Sequence, residues 1–375
     1  MLERIVNFGG MSGGPPDRQQ ALKTSETASK APGILLRHAL ANRFGFRLSG
    51  GQIASMCKVP GFMSLVIPFV FRPHSRENWD AVLAEELKHI GTIKPFDALS
   101  DTERRAARFA IVANPDPQDV ARLPNLEWVQ SLWAGVERLT AELPADGPRI
   151  VRLADPQMAV TMSEAVLAWT LYLHRDMPRY ARQQSERRWK EHALITPDQR
   201  RIGILGLGAL GQAAALRLRA NGFRVSGWSR SPKSVAGVDC FHGQNGLEEV
   251  LARSGILVLL MPLTSETRGL VNAGLLARLP KGASLINFAR GPIVDDTALI
   301  EALDAGHLSH AVLDVFSVEP LPAGHPYWSH PAVTVLPHIS APTLAKSAVA
   351  ILAENIAAYL KTGNIPDSVD RKRGY

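Results

Sequence analysis

From Met63 onward, short apolar runs alternate with amphipathic ones. Met63-Ser64-Leu65-Val66-Ile67-Pro68-Phe69-Val70 predicts a buried strand over 65–71. Behind it, the stretch Ser75 to Lys88 places Trp79, Val82, Leu83 and Leu87 on one face of a helix. Further strands are predicted at 109–113, 128–131 and 149–151, with Leu132-Trp133-Ala134-Gly135-Val136 at a strand-to-helix junction. A helix from Ser163 to His174 leads into a charged stretch, Arg175 to Glu191, which reads as a solvated linker helix or an interface arm. Beyond it the alternation resumes, with strands at 202–205, 223–228, 256–260, 284–287, 310–313 and 333–336, and a helix at 212–220. The last helix, Thr343 to Thr362, is long enough to cross back to the first set of strands. Strands that alternate with helices bury parallel sheets between helical layers, so the pattern is α/β.

Residues 202 to 211 read Ile-Gly-Ile-Leu-Gly-Leu-Gly-Ala-Leu-Gly, an apolar strand running into Gly206-x-Gly208-x-x-Gly211 and a helix. A dinucleotide pyrophosphate requires that order. The first glycine makes the tight turn, the second lacks a Cβ in the path of the phosphates, and the third allows close packing of the helix. The helix N-terminus supplies N–H donors and partial positive charge. The chain is therefore expected to form two Rossmann-like parallel-sheet domains with a cleft between them. Residues 63–160 plus 340–375 would make a substrate domain, and 161–339 a nucleotide domain that includes the linker helix. At the end of the second strand an NAD site usually carries Asp or Glu for the ribose hydroxyls. Here the residues are Trp228-Ser229-Arg230-Ser231-Pro232-Lys233. Hydroxyls and cations suit a 2′-phosphate, which a carboxylate would repel. Ser229, Arg230, Ser231 and Lys233 thus point to NADPH in preference to NAD.

Composition narrows the picture without redirecting it. The net charge is +7, but residues 1–62 hold eight Lys/Arg against three Asp/Glu, so five of those charges lie there. No basic motif interleaved with aromatics marks a nucleic-acid surface. The longest apolar runs are too short to span a bilayer, and neither nucleic acid nor membrane is expected as a partner. Two cysteines, Cys57 and Cys240, match no metal spacing and suit a reducing cytoplasm. Residues 1–62 are rich in Gly, Ser, Gln and basic residues, with weak periodicity apart from a short helix near Ile34 to Phe46. Three readings are open, in descending order: a mis-assigned start with Met63 as the natural one, a disordered extension, and a transit peptide.

Three segments carry chemistry, each directly after a predicted strand: Asn287-Phe288-Ala289-Arg290-Gly291, Asp314-Val315-Phe316-Ser317-Val318-Glu319 and Pro337-His338-Ile339. Ligands of an open parallel sheet sit beyond the carboxyl ends of its strands, so Arg290, Glu319 and His338 converge on one cleft. Singly, each has a plain structural explanation. Together on a nucleotide scaffold they suit hydride transfer. His donates a proton to the reduced carbonyl, a neighbouring carboxylate raises its pKa, and an Arg fork holds a substrate carboxylate.

From Met63 to Tyr375 the chain resembles the D-isomer-specific 2-hydroxyacid dehydrogenases, with the glyoxylate/hydroxypyruvate reductase A group nearest in pattern. That likeness includes the terminal Val369-Asp370-Arg371-Lys372-Arg373-Gly374-Tyr375. The resemblance implies that Arg290 binds the substrate carboxylate and carbonyl oxygen, that His338 is the general acid, and that Glu319 tunes it. It implies that Ala134, Gly135 and Val136 bind the carboxylate through backbone amides. Pro262, Leu263 and Thr264 would line the cofactor, with Asp314 near the nicotinamide carboxamide. Ala289 and the turn residues Gly206, Gly208, Ala209, Leu210 and Gly211 complete the cofactor set. The implied reaction is NADPH-dependent reduction of a small 2-oxo acid, glyoxylate to glycolate or hydroxypyruvate to glycerate, by a homodimer. A dehydrogenase for a bulkier 2-oxo acid, and a dinucleotide-sensing binding module, stay open as alternatives.

Overall fold

The computed structural model describes residues 65–72, 79–371 and 373–374. The short helix expected near Ile34 to Phe46, every reading of residues 1–62 and the start of the helix expected from Ser75 lie outside the described residues.

The first lobe runs β1 (Val66–Phe71), α1 (Trp79–Leu87), β2 (Thr92–Pro95), α2 (Asp101–Ala106), β3 (Phe109–Ala113), α3 (Pro117–Ala121), β4 (Trp128–Ser131), α4 (Glu137–Glu142) and β5 (Arg149–Val151). Its strands pair in parallel in the order β2-β1-β3-β4-β5. β3 is buried along its whole length, as a central strand covered on both faces must be. The alternation did not reveal β2, because Thr-Ile-Lys-Pro is a short, partly exposed edge strand that ends in proline.

The second lobe opens with α5 (Pro156–His174) and α6 (Met177–Ser185). It continues with β6 (Arg201–Leu205), α7 (Ala209–Ala220), β7 (Arg224–Ser229), β8 (Asp239–His242), α8 (Gly243–Arg253), β9 (Ile256–Leu259), α9 (Ala273–Leu276), β10 (Ala283–Asn287), α10 (Asp296–Asp304), β11 (Leu308–Leu313) and β12 (Val333–Val335). The strands form a parallel sheet in the order β12-β11-β10-β9-β6-β7-β8. The strand order reverses direction at β6 and β9, which defines the crevice where such sheets take ligands.

Three helix starts differ from the sequence reading, the smallest difference being in the final helix, which opens at Ala345 rather than Thr343. α5 begins at Pro156 rather than Ser163, because the Asp155 carboxylate accepts from the Gln157 N–H and proline occupies the first turn. α7 begins at Ala209 rather than Gln212, directly after Gly208. β8 and α8 were not foreseen; β8 is short and only partly buried.

The final helix, α11 (Ala345–Thr362), returns to the first lobe. Ala348, Val349, Leu352 and Ile356 are buried in one core with Ile67, Phe69, Leu83 and Trp128. Polar contacts set its register. Asn355 Nδ2 donates to Gln130 Oε1 at 2.9 Å, and the Tyr359 hydroxyl donates to Glu127 Oε2 at 2.6 Å. Gly363, with φ of 71°, terminates the helix in the left-handed region.

Candidate active site

The carboxyl ends of β6, β7, β9, β10, β11 and β12 carry every site residue that the sequence singled out in the second lobe. At β6 the glycine turn is closed by its own backbone. Gly206 has a φ of 108°, and a Cβ there would lie 2.6 Å from the Met261 backbone nitrogen. A Cβ on Gly211 would lie 1.8 Å from the Gly206 carbonyl oxygen, so α7 packs against the turn only because that residue is glycine. Gly208 differs: a Cβ placed on it meets nothing within 4 Å. Open space therefore lies at the N-terminus of α7, where Ala209 and Leu210 begin the helix and the first-turn backbone N–H groups suit an anion. The turn thus fits a pyrophosphate.

Beyond β7, Ser229 is buried and its hydroxyl donates to the Ser231 carbonyl at 2.8 Å, which shapes the turn. Arg230, Ser231 and Lys233 are exposed. Arg230 Nη1 lies 3.5 Å from Glu266 Oε2, so the guanidinium leans toward the loop after β9. That loop holds itself together: the Thr267 hydroxyl donates to the Pro262 carbonyl at 2.7 Å and accepts from the Thr264 N–H at 2.8 Å. The residues at the end of β7 fit a 2′-phosphate, since they present cations and no carboxylate on the turn itself.

Three loops meet beyond β10, β11 and β12. Asn287, buried at the end of β10, accepts from the Ala289 N–H and donates to the Arg290 carbonyl, which fixes the Arg290 turn. A Cβ on Gly291 would lie 2.0 Å from the Phe316 carbonyl carbon, so this glycine lets the Arg290 loop press against the loop that leads to Glu319. Glu319 Oε1 accepts from the Phe316 N–H at 2.9 Å, and its Oε2 lies 2.8 Å from His338 Nδ1. His338 adopts a φ of 55°, unusual for a residue with a side chain. Asp314 holds that conformation from below. Its buried carboxylate accepts from the Ile339 N–H at 2.7 Å and the Ser340 N–H at 2.8 Å. Both oxygens of the residue expected near the carboxamide thus engage backbone donors beside His338.

The electrostatics follow from these contacts. The hydrogen bond to Glu319 raises the His338 pKa above the ordinary value of 6.5; burial and the Arg290 charge oppose it without prevailing. Burial alone would raise the Glu319 pKa, but the His338 and Phe316 hydrogen bonds outweigh it and the net shift is downward. Imidazolium and carboxylate therefore support one another.

Arg290 reaches the first lobe. Its Nη1 donates to the Ala289 carbonyl at 2.7 Å, and its Nε lies 3.2 Å from Glu137 Oε1. A Cβ on Gly135 would lie 1.8 Å from Nη2, so the guanidinium rests directly on the Ala134-Gly135-Val136 loop. Sequence reasoning missed Glu137. Its only signal was its place immediately after that loop. Trp133 packs edge-on against Trp79 at 5.9 Å in the first core, and Trp328 donates to the Pro322 carbonyl at 3.0 Å.

A nucleotide-type sheet bearing an Arg, Glu and His cluster opposite a second α/β lobe defines a two-lobed dehydrogenase. Residues 167–340 match the family model for the NAD-binding domain of D-isomer-specific 2-hydroxyacid dehydrogenases. The chain is 39% identical over 300 residues to a glyoxylate/hydroxypyruvate reductase A of Serratia proteamaculans, covering 78% of this chain and 94% of that relative. A D-isomer-specific 2-hydroxyacid dehydrogenase from Xanthobacter autotrophicus, solved with NADPH and MES, superposes with a TM-score of 0.77 at 42% identity, covering 83% of this chain and all of that one. An NADPH-dependent glyoxylate/hydroxypyruvate reductase from Sinorhizobium meliloti, solved with NADP and sulfate, gives 0.74 at 31% identity over 83% of this chain and 99% of that one. The chain belongs to the D-isomer-specific 2-hydroxyacid dehydrogenases. Among the described residues no helix is long and apolar enough to cross a membrane.

Proposed function

We propose that this enzyme reduces a small 2-oxo acid with NADPH, with glyoxylate and hydroxypyruvate as substrates. The His338–Glu319 pair, 2.8 Å apart and within the field of Arg290, carries the reading. Relatives and neighbours named for this activity support it. Bound NADPH supplies the hydride to the substrate's C2. Glu319 engages His338 Nδ1, which leaves Nε2 as the nitrogen that gives its proton to the developing alkoxide. The raised pKa keeps that proton in place near neutral pH. Arg290 and the amides of Gly135 and Val136 hold the substrate carboxylate, fixing the carbonyl between cofactor and acid. The open ground over Gly208 takes the pyrophosphate, and Arg230, Ser231 and Lys233 take the 2′-phosphate. On this reading residues 63–160 plus 340–375 make up the substrate domain, and residues 161–339 the nucleotide domain.

We further infer a homodimer formed through the second lobe. Met177, Trp189 and Leu194 are exposed along and after α6, Trp189 at 96%, and apolar side chains so placed suit burial against a second copy. Oxidation of NADPH on addition of glyoxylate or hydroxypyruvate tests the catalytic reading. No turnover with either acid would refute it.

A further inference from the structure

We propose, resting on the assignment of the 2′-phosphate to Arg230 above, that Glu266 sets how far the enzyme prefers NADPH to NADH. It does so by competing with the 2′-phosphate for the Arg230 guanidinium. In a sheet of this order the end of β7 is where the adenosine ribose is recognised, by a carboxylate for free hydroxyls or by arginine for a 2′-phosphate. Here that position carries Arg230, and a carboxylate reaches it from a different element. Glu266, on the loop after β9, places Oε2 3.5 Å from Arg230 Nη1.

The loop fixes where that carboxylate stands. The Thr264 N–H donates to the Thr267 hydroxyl at 2.8 Å, and that hydroxyl donates to the Pro262 carbonyl at 2.7 Å. The Arg268 N–H donates to the Thr264 carbonyl at 3.0 Å. Glu266 stands on the turn these bonds close. A guanidinium spreads a single charge over its donors, so an anion held at Nη1 lowers what it offers to a second anion. The 2′-phosphate brings about two negative charges, whereas the ribose hydroxyls of NADH bring none, so the competition falls on NADPH alone. Its size is bounded by exposure. The Arg230 and Glu266 side chains are 44% and 67% exposed, and a pair so wetted favours contact by no more than about fivefold. A phosphate dianion therefore displaces the carboxylate, and Glu266 trims the preference for NADPH without abolishing it.

Fluorescence titration of the full chain with NADPH and with NADH, in wild type, Glu266→Gln, Arg230→Gln and the double variant, tests this. Glu266→Gln is expected to tighten NADPH about three- to tenfold and to change NADH by less than about twofold. In roughly 0.5 M salt that gain should shrink toward none, because exposed charges are screened within a few ångströms. In the Arg230→Gln background it should vanish, since the cation competed for is gone. Glu266→Ala gives a second neutral variant if Gln fails to fold. Unchanged NADPH affinity in Glu266→Gln would overturn the proposal. Weaker affinity would overturn it too, by assigning Glu266 to holding Arg230 in place. A full gain in the Arg230→Gln background would do the same, because the carboxylate would then repel the phosphate directly. If Arg230→Gln leaves the NADPH-to-NADH ratio unmoved, the assignment of the phosphate to Arg230 fails and the competition with it. If Arg230→Gln weakens NADPH and Glu266→Gln gains nothing, the competition fails alone.

Discussion

At the scale of single residues, the proposed chemistry rests on one polarised pair. His338 is held from two sides, by Glu319 at Nδ1 and by Asp314 through the two N–H groups that follow it. Replacing His338 by Gln should lower kcat by about 10²–10⁴-fold while leaving NADPH affinity nearly intact; stopped-flow turnover and fluorescence titration would measure the two. The pH dependence has a definite sign. Because the His338 pKa is raised above 6.5, the donor imidazolium is complete below the ordinary histidine range. It is lost as pH rises through the raised value, so kcat/KM for reduction should fall there. Glu319→Gln removes the main cause of the shift and should move the fall toward acid pH. A profile that does not move would remove Glu319 from that role. At the cofactor end, Arg230→Asp should lose a charge-assisted contact of about 1.5–3 kcal/mol, weakening NADPH about ten- to a hundredfold with NADH less affected.

At the scale of elements, the glycine turn and α11 show what sequence can and cannot reveal. Gly206, Gly208 and Gly211 look equivalent in the motif, yet only Gly206 and Gly211 are held by close backbone. Gly211→Ala should therefore lower the melting temperature and displace the start of α7. Gly208→Ala should leave the melting temperature near wild type and weaken NADPH binding, because its Cβ would enter the open space of the proposed pyrophosphate site. Equal effects on both would contradict this geometry. For α11, Leu352→Ala should cost about 2–5 kcal/mol in urea unfolding, since Leu352 is fully buried against the first sheet. The long helix was legible because its apolar period runs unbroken from Ala345 to Thr362. Strands such as β3 and β9 were legible because they are wholly apolar. β2 and β8 were hidden because edge strands need little apolar surface. Arg290, Glu319 and His338 stood out because each follows a readable strand. Glu137 did not, because its significance depends on an approach between two lobes that no local pattern encodes.

At the scale of the whole molecule, Arg290 ties the nucleotide sheet to the Ala134-Gly135-Val136 loop, and α11 ties the end of the chain back to the first sheet. On the proposed reading, substrate, cofactor and proton donor meet where those lobes face one another. The proposed homodimer belongs to this scale as well. Light scattering after size exclusion should report twice the mass of one chain, and Trp189→Ser should shift it toward one; a wild-type monomer would contradict the dimer. The most direct test of the central claim is steady-state reduction of glyoxylate and hydroxypyruvate by the purified wild-type protein, with NADPH and NADH measured side by side. The account predicts turnover with at least one of the two acids and a clear preference for NADPH in kcat/KM. No turnover with either acid, or equal use of NADH, would contradict it.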